Sequence, residues 1–171
     1  MKSPNGFTLI ELIVLLAIIA ILTAVAVPNF SATIKTDRDT SQINTLLAGL
    51  ALARSSAIQH GNATICAGNT TACSSGNWAS GWVVVYLPPA ATTQMIRTFP
   101  ALSGNNTLTS TGGNSFTFNS QGMVSAASTF NLCDPRGPTY AHSVDLNITG
   151  RAEAALKVGY EIDGITAIPS C

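Results

Sequence analysis

Charged side chains are scarce in this sequence. Only 9% of the 171 residues are Asp, Glu, Lys or Arg, against a typical value of about 25%, and the formal net charge is zero. Proteins that capture nucleic acid by broad electrostatic attraction need a concentrated basic face, so the composition argues against that class. The chain after Pro28 is instead rich in Thr, Ser, Asn, Ala and Gly, which indicates a neutral, polar surface.

The familiar sequence motifs of catalysis are also missing. The chain contains no nucleophile elbow, no phosphate-binding loop, no paired-carboxylate constellation and no HExxH zinc signature. Its later acidic residues are spread along predicted strands and loops, at Asp134, Asp145, Glu153, Glu161 and Asp163. We therefore predict a protein that is not an enzyme and that needs no cofactor.

The longest apolar run lies near the N-terminus and contains one carboxylate. From Phe7 to Val27 there is no Lys, Arg, Asp, Asn, Gln, Gly or Pro, and Glu11 is the only charged residue. A run of about 20 such residues is long enough to cross a bilayer as a helix. A carboxylate within it is costly without a partner, and the run itself holds no cation. The pattern therefore predicts that a partner for Glu11 comes from outside the segment.

Two ordinary interpretations of this N-terminus are a secretory signal peptide and a plain transmembrane anchor. A signal peptide would be cleaved near residues 24–26, but the apolar run is longer than a usual signal core, and Lys2 is the only cation before it. A plain anchor explains the length of the run but not the presence of Glu11. Neither interpretation accounts for all of the features.

The stretch KSPNGFTLIEL supports a third interpretation. It closely resembles the leader and cleavage site of type IV prepilins and type II secretion pseudopilins. The resemblance implies that residues 1–6 are a leader, that a prepilin peptidase cuts after Gly6, and that the new N-terminal Phe7 is N-methylated. Glu11 is then the fifth mature residue, and Pro28 follows about one bilayer later, as in that class.

This resemblance also provides a partner for Glu11. Cleavage after Gly6 would leave a positive amine on Phe7, roughly 6 Å along the helix axis from Glu11. In the resembled class, Glu at this position is expected to meet the N-terminal amine of a neighbouring subunit during filament assembly. A wrong register would leave a buried charge unpaired. The resemblance therefore implies a role for Glu11 in assembly and register.

Helical periodicity continues beyond Pro28. Apolar residues recur at i, i+3, i+4 and i+7 spacing and predict one helix from about Phe7 to Gln59. Its first half, residues 7–27, would lie in the membrane or the filament core, and its second half, residues 28–61, would be amphipathic. Because Pro28 removes a backbone donor, we expect a kink near it.

Beyond residue 62 the pattern changes to short strands and turns. The predicted strands are Ala63–Cys66, Gly81–Leu87, Met95–Phe99, Ser115–Asn119, Met123–Val124, Thr129–Cys133, Ser143–Ile148 and Leu156–Ile162. The segment Ser103–Asn114 is rich in Thr, Ser and Gly and is predicted to be a loop. We therefore predict an α+β chain in which the long helix packs on an antiparallel, β-rich head of residues 62–171.

Within the pilin class, this head resembles the GspH/FimT group, which includes FimU-like minor pilins. The resemblance is carried, in order, by LLAGLALARSSAIQHGNATIC, NWASGWVVVY, FTFNSQG, FNLCDPRG and VDLNITGR. It implies the type IV pilin fold and a non-catalytic minor pilin. Such a subunit is held in the bacterial inner membrane by a single pass, with its head in the periplasm, until it joins other pilins at or near the tip of a pilus.

The same features fit a second kind of assembly. A GspH-like pseudopilin of a type II secretion system would have the same N-terminal chemistry and the same fold. The sequence therefore leaves a pilus subunit and a pseudopilus subunit open as alternatives, and it does not identify the neighbouring subunits.

The four cysteines all follow the apolar run and indicate two disulfides formed in an oxidising compartment. Cys66 and Cys73 would close a short loop. FimU-like proteins have a similar late Cys and C-terminal Cys, which implies that Cys133 pairs with Cys171. A zinc site is the alternative, but the Cys-x₆-Cys spacing has no second close pair and the two histidines are isolated. We predict disulfides and no metal.

A third functional alternative is DNA uptake, in which some FimT-like proteins are implicated through a C-terminal Gly-Arg-x-Arg motif. The corresponding stretch here is GRAE at residues 150–153, where Glu replaces the second Arg and would repel a phosphate. Arg136, Arg151 and Lys157 would form at most a modest basic cluster. DNA binding is therefore the less favoured alternative.

Overall fold

A computed structural model describes residues 6–68, 73, 76–88 and 92–171. The predicted leader, apart from Gly6, lies outside the described residues. The chain divides into two compact units, of which the first ends at Thr36 and the second extends from Asp37 to Cys171. The second unit contains all of the β-structure that the described residues form, and we call it the head.

A long helix, α1, runs from Leu9 to His60 and confirms the predicted helix to within two residues at either end. Gly61 follows it with φ +91°, a left-handed conformation that glycine adopts without a Cβ clash, and its N–H donates to the Ala57 carbonyl at 2.8 Å. Pro28 lies inside α1 and does not end it. The kink expected there stays a prediction.

The part of α1 that belongs to the head buries one apolar stripe. Its buried positions are Ile43, Leu46, Leu50, Ala53 and Ala57, which have the predicted helical spacing. Gly49 lies on the same part of the helix, where a Cβ atom would be 2.6 Å from Nε1 of the buried Trp82. The helix backbone therefore lies close to the indole, and a larger residue at this position would force them apart.

In the described part of the chain, eight strands form two four-stranded antiparallel sheets with the orders β3-β2-β1-β5 and β4-β6-β7-β8. The strands are β1 Asn62–Ala67, β2 Trp82–Tyr86, β3 Gln94–Phe99, β4 Thr107–Ser110, β5 Ser115–Asn119, β6 Ser128–Cys133, β7 His142–Leu146 and β8 Ala152–Ala154. The long helix and this antiparallel β-rich head confirm the predicted α+β class.

The structure corrects the loop predicted at Ser103–Asn114. This segment contains β4, which pairs with β6 from Thr107 opposite Cys133 to Ser110 opposite Phe130. The strand has one large apolar side chain, Leu108, which is buried. The other residues of the strand are Thr and Ser. A short polar stretch beside glycines has the composition of a loop, so the sequence predicts a loop here.

The last predicted strand, Leu156–Ile162, is also wrong. The chain makes a three-residue strand before it, β8, whose central Glu153 lies opposite Asp145 of β7. Leu156 is fully exposed, and the segment forms only an isolated bridge between Tyr160 and Ala167 among the described residues. Apolar composition therefore indicated a strand here although most of these side chains are not buried.

An aromatic cluster fills the core of the head. The rings of Trp78 and Phe130 meet edge to face with centroids 5.1 Å apart, and Phe116 lies 5.3 Å from Phe130. The Trp78 indole N–H donates to the Gly113 carbonyl at 3.0 Å, which satisfies its polar atom. Such pairs add specific geometry to the burial of apolar area, and this cluster connects residues of both sheets.

Both predicted disulfides form. Cys66 of β1 pairs with Cys73, and Cys133 of β6 pairs with Cys171, with Cα atoms 5.4 and 5.6 Å apart. Beside the second bond, Ile168 is buried in a small cluster with Cys133. The bond between Cys133 and Cys171 therefore ties the segment after β8 to the second sheet.

We expect the two disulfides to contribute unequally to stability. The bonded cysteines are 38 residues apart in the second disulfide and 7 in the first, and the cost of closing a loop in the unfolded chain grows with its length. Replacing Cys133 and Cys171 by Ser should lower the free energy of unfolding by about 4 kcal/mol, against about 2.5 kcal/mol for the matched Cys66/Cys73 variant. Thermal unfolding of both variants under oxidising conditions measures this, and a larger loss in the Cys66/Cys73 variant would contradict it.

Candidate functional site

The N-terminus of α1 is closed by a capping box formed by Thr8 and Glu11. The Glu11 backbone N–H donates to Thr8 Oγ1 at 3.3 Å, while Oε2 of Glu11 accepts hydrogen bonds from the backbone N–H and the hydroxyl of Thr8, both at 2.8 Å. This reciprocal arrangement satisfies donors that the first turn of a helix leaves without intrahelical partners. The carboxylate also lies near the positive end of the helix dipole.

The capping box was not predicted, although its signal is present in the sequence. Thr8 and Glu11 are three residues apart at the start of an apolar run, which is the Thr-x-x-Glu pattern of a capping box. The box means that Glu11 has hydrogen-bond partners within its own chain. Gly6 and Phe7, between which cleavage is predicted, precede the helix and are exposed.

The helix after this cap exposes its apolar side chains on all sides. Every large apolar residue from Phe7 to Leu22 is more than 45% exposed, and Phe7 itself is 87% exposed. A helix that is apolar all round is stable when other helices or lipid cover it. The segment therefore has the surface of an element that is completed by association.

In the head, a buried polar network joins α1 to the turn after β6. Asp39 is 2% exposed and accepts hydrogen bonds from Arg136 Nη2 at 2.8 Å and from Asn106 Nδ2 at 2.7 Å. Arg136 also pairs with Asp134 through Nε, and its backbone N–H donates to the same carboxylate at 2.9 Å. The Asn106 amide donates to Gln42 as well, at 2.7 Å.

The charges of this network are balanced around one guanidinium. Burial alone would lower the pKa of Arg136, but the hydrogen bonds and charges of Asp134 and Asp39 outweigh burial and raise that pKa. The guanidinium also lies over the ring of Tyr140, 4.3 Å from its centroid. Arg136 thus fixes the turn after β6 to the helix.

In this network Arg136 is already paired, which further disfavours the alternative of a DNA contact there. Its side chain is 15% exposed and pairs with two carboxylates, so a phosphate would have to displace them. Arg151 is 70% exposed and pairs with Glu153, and the ammonium of Lys157 lies over the ring of Tyr160. The three cations therefore each have partners of their own within the head.

We expect His142, at the start of β7, to make the stability of the head depend on pH. Burial lowers its pKa, with Asp39 and Asp134 acting to raise it and Arg136 to lower it. The unfolded chain then binds a proton at about pH 6.5, where the folded chain does not. The contribution of His142 to the free energy of unfolding should be complete above about pH 6.5. It should fall as the pH drops below this value and level off below the lowered pKa of the folded state.

Urea unfolding at several pH values between 7.5 and 5 measures this dependence, and His142→Gln is the matched variant. The variant should show a shallower loss of stability over this range, because the other histidine, His60, and the carboxylates are unchanged. An identical pH dependence in the two proteins would contradict the assignment to His142.

Two protein-family models match this chain. A family model described as type II transport protein GspH matches residues 42–150, which is more than half of the chain. The chain belongs to the GspH family. A second model, the prokaryotic N-terminal methylation motif, matches residues 1–27 and implies processing by prepilin peptidase and assembly with other pilins.

Two crystal structures of the type IV minor pilin FimU from Pseudomonas aeruginosa, in space groups P21 and P65, resemble the structure of this GspH-family chain. The TM-scores are 0.62 and 0.59 at 20% sequence identity, and the matches cover 80% and 77% of this chain and 97% and 98% of the FimU chains. The fold is therefore the predicted type IV pilin fold.

A curated pilin is similar to one segment of the chain. The type IV wide pilus major component PilA4 of Thermus thermophilus is 55% identical over 40 residues, which are 23% of this chain and 30% of that protein. The match thus spans less than a third of PilA4. The match shows that one segment of this chain is similar to a pilin, and it does not extend to the rest of the chain.

Among the described residues, no helix has a continuous apolar stretch that is long enough to cross a membrane. This finding does not bear out the transmembrane span expected for residues 7–27, which stays a prediction from the sequence.

Proposed function

We propose that this GspH-family chain is a non-catalytic minor pilin of a type IV pilus. Prepilin peptidase would remove residues 1–6, and the mature subunit would stay in the inner membrane, with its head in the periplasm, until it joins other pilins at or near the filament tip. The observation that carries the proposal is the exposed apolar segment that begins at Phe7 and contains one capped carboxylate, Glu11.

The geometry of the cap suggests how assembly would begin. Glu11 Oε2 already accepts two hydrogen bonds from Thr8, so its charge is oriented toward the helix N-terminus. Cleavage after Gly6 would place the new amine on the residue directly before Thr8. A neighbouring amine that reaches Glu11 would gain a strong ion pair among apolar side chains, where a misplaced subunit would leave the carboxylate without a cation.

The proposal is tested by counting surface pili in a deletion strain complemented with wild-type or variant genes. We expect wild-type complementation to restore the pili and Glu11→Ala to leave them near the level of the deletion strain, because the pairing charge is lost. The matched control is Asp37→Ala, which removes an exposed carboxylate from the same helix and should restore pili fully. Mass spectrometry of the mature N-terminus confirms that each variant is processed after Gly6.

A pseudopilin of a type II secretion system is the second candidate, and the GspH family match is the observation that favours it. The same deletion strain distinguishes the two. Normal pili together with loss of secreted enzymes from the culture supernatant would replace the pilus assignment with this one.

A further inference from the structure

A groove of about 460 Å³ lies in the head between α1 and the turn that joins β7 to β8. Its apolar lining comes from Leu47, Ala51 and Ile58 of the helix, and its cations are Arg54 of the helix and Arg151 of the turn. Neither the proposed assembly at Glu11 nor the buried network around Arg136 uses it.

Arg54 is a cation with no counter-charge within the described part of the chain. Among the described residues it forms no ion pair, and its Nε atom is buried without a hydrogen-bond partner. Buried polar groups in folded proteins are almost always hydrogen-bonded, so an unpaired guanidinium N–H at the edge of a groove needs an explanation. Arg54 as a whole is half-buried and lines the groove, so an anion that enters would meet a cation with no other counter-charge among the described residues.

The side chain of Arg54 is held in position by the backbone beside it. The position of a Cβ on Gly122 would lie 3.0 Å from Arg54 Nε and 3.1 Å from both Arg54 Cγ and the tip of Ile58. The stem of Arg54 is therefore packed between a glycine and the helix surface. A guanidinium that is fixed in this way loses little conformational entropy when it binds a ligand.

The chemistry of the groove selects a carboxylate on a peptide over a nucleic acid. The planar guanidinium fork matches a carboxylate or a phosphate. Arg151, the second cation, is already paired with Glu153, so a polyanion would meet a negative charge next to its binding site. The aliphatic lining favours side chains over a sugar–phosphate backbone, which needs several cations along its length.

We propose that this groove binds an acidic segment of a neighbouring subunit that is a different protein from this chain, with a carboxylate on Arg54 and flanking aliphatic side chains against Leu47, Ala51 and Ile58. The choice of a pilin-like subunit as the partner rests on the proposed function, since a filament places heads side by side. The preference for a carboxylate rests on Arg54 alone.

The test uses the full chain in detergent micelles, labelled with ¹⁵N-arginine, and two blocked five-residue probes. One is an acetylated, amidated Ala-Leu-Asp-Leu-Ala peptide, and the other has Asn in place of Asp. We expect the Arg54 Nε–Hε resonance to shift with the Asp peptide, and the affinity to be at least fivefold weaker for the Asn peptide. Arg54→Gln keeps the packed stem and should also weaken binding of the Asp peptide at least fivefold, while Arg54→Lys should be intermediate.

Glu153→Gln is the matched control, since it leaves Arg54 in place and frees Arg151; it should bind the Asp peptide as tightly as wild type or more tightly. Equal affinity for the two peptides, or no effect of Arg54→Gln, would overturn the proposal. An equal response to acetate alone would also overturn it, as would Arg54-dependent binding of a 12-base-pair DNA in place of the peptide. A shift that depends only on protein concentration would overturn it as well, because it would identify a second copy of this chain as the occupant. None of these outcomes depends on the pilus counts, so the two proposals fail separately.

Discussion

Replacing Arg136 by Met should lower the free energy of unfolding of the head by about 3–5 kcal/mol. Met keeps much of the volume but removes the only cation that pairs with the buried carboxylates of Asp39 and Asp134 among the described residues. Two uncompensated carboxylates would then remain in a poorly solvated site. Urea unfolding of the full chain in micelles, followed by the fluorescence of the buried Trp78 and Trp82, measures the change.

The matched control is Arg151→Met, which breaks an ion pair at the surface. The side chains of Arg151 and Glu153 are 70% and 41% exposed, so water replaces the lost partner and the expected cost is under about 1 kcal/mol. Adding Asp39→Asn and Asp134→Asn to Arg136→Met should recover part of the loss, because the unpaired charges are removed. Equal effects of the two Arg→Met changes would show that the network around Arg136 is not a buried charge site.

Replacing Gly150 by Ala should cost about 3–5 kcal/mol. Gly150 has φ +75°, and a Cβ at this position would collide with the carbonyl oxygen of Gly122 and lie 3.2 Å from the ring of Phe118. The substitution combines left-handed strain with overpacking against backbone, which cannot move aside as a flexible side chain can. Thermal unfolding of the full chain measures the loss.

Gly113→Ala separates these two contributions. Gly113 has φ +97°, but a Cβ there would have no atom within 4 Å. Only the conformational strain applies, and we expect a cost of about 1–2 kcal/mol. If Gly113→Ala were as damaging as Gly150→Ala, the close approach to Gly122 would not explain the requirement for glycine at residue 150. In that case, glycine would be required at residue 150 for its backbone conformation alone.

The elements that sequence predicted well are those with a strong local signal. The helix from Leu9 to His60 follows from a long apolar run and then a regular stripe, and β2 follows from the apolar stretch WVVVY. Strand β4 lacks such a signal, because its Thr and Ser residues have the composition of a loop and its pairing with β6, 20 to 26 positions away, appears only in the folded chain. The prediction of a strand at Leu156 is wrong because composition does not show whether an apolar side chain is buried against other residues.

The same limit applies to the sites. The cleavage motif around Gly6 is local, and it was recognised from a few adjacent residues. Arg136 was grouped with other cations because its partner Asp39 is 97 residues away in the sequence, and only folding brings the two together. Arg54 has no signal in the sequence for the same reason, because an unpaired guanidinium can be identified only when all of its neighbours are known.

The burial of Asp39 and Ile43 has a practical consequence for preparing the head as a soluble fragment. Both residues belong to α1, yet they lie in the interior of the head and contact residues from its turns and sheets. A fragment truncated at residue 44 would expose apolar surface and leave Arg136 with one carboxylate fewer. Truncation should therefore be made before Asp37, where the head begins as a compact unit.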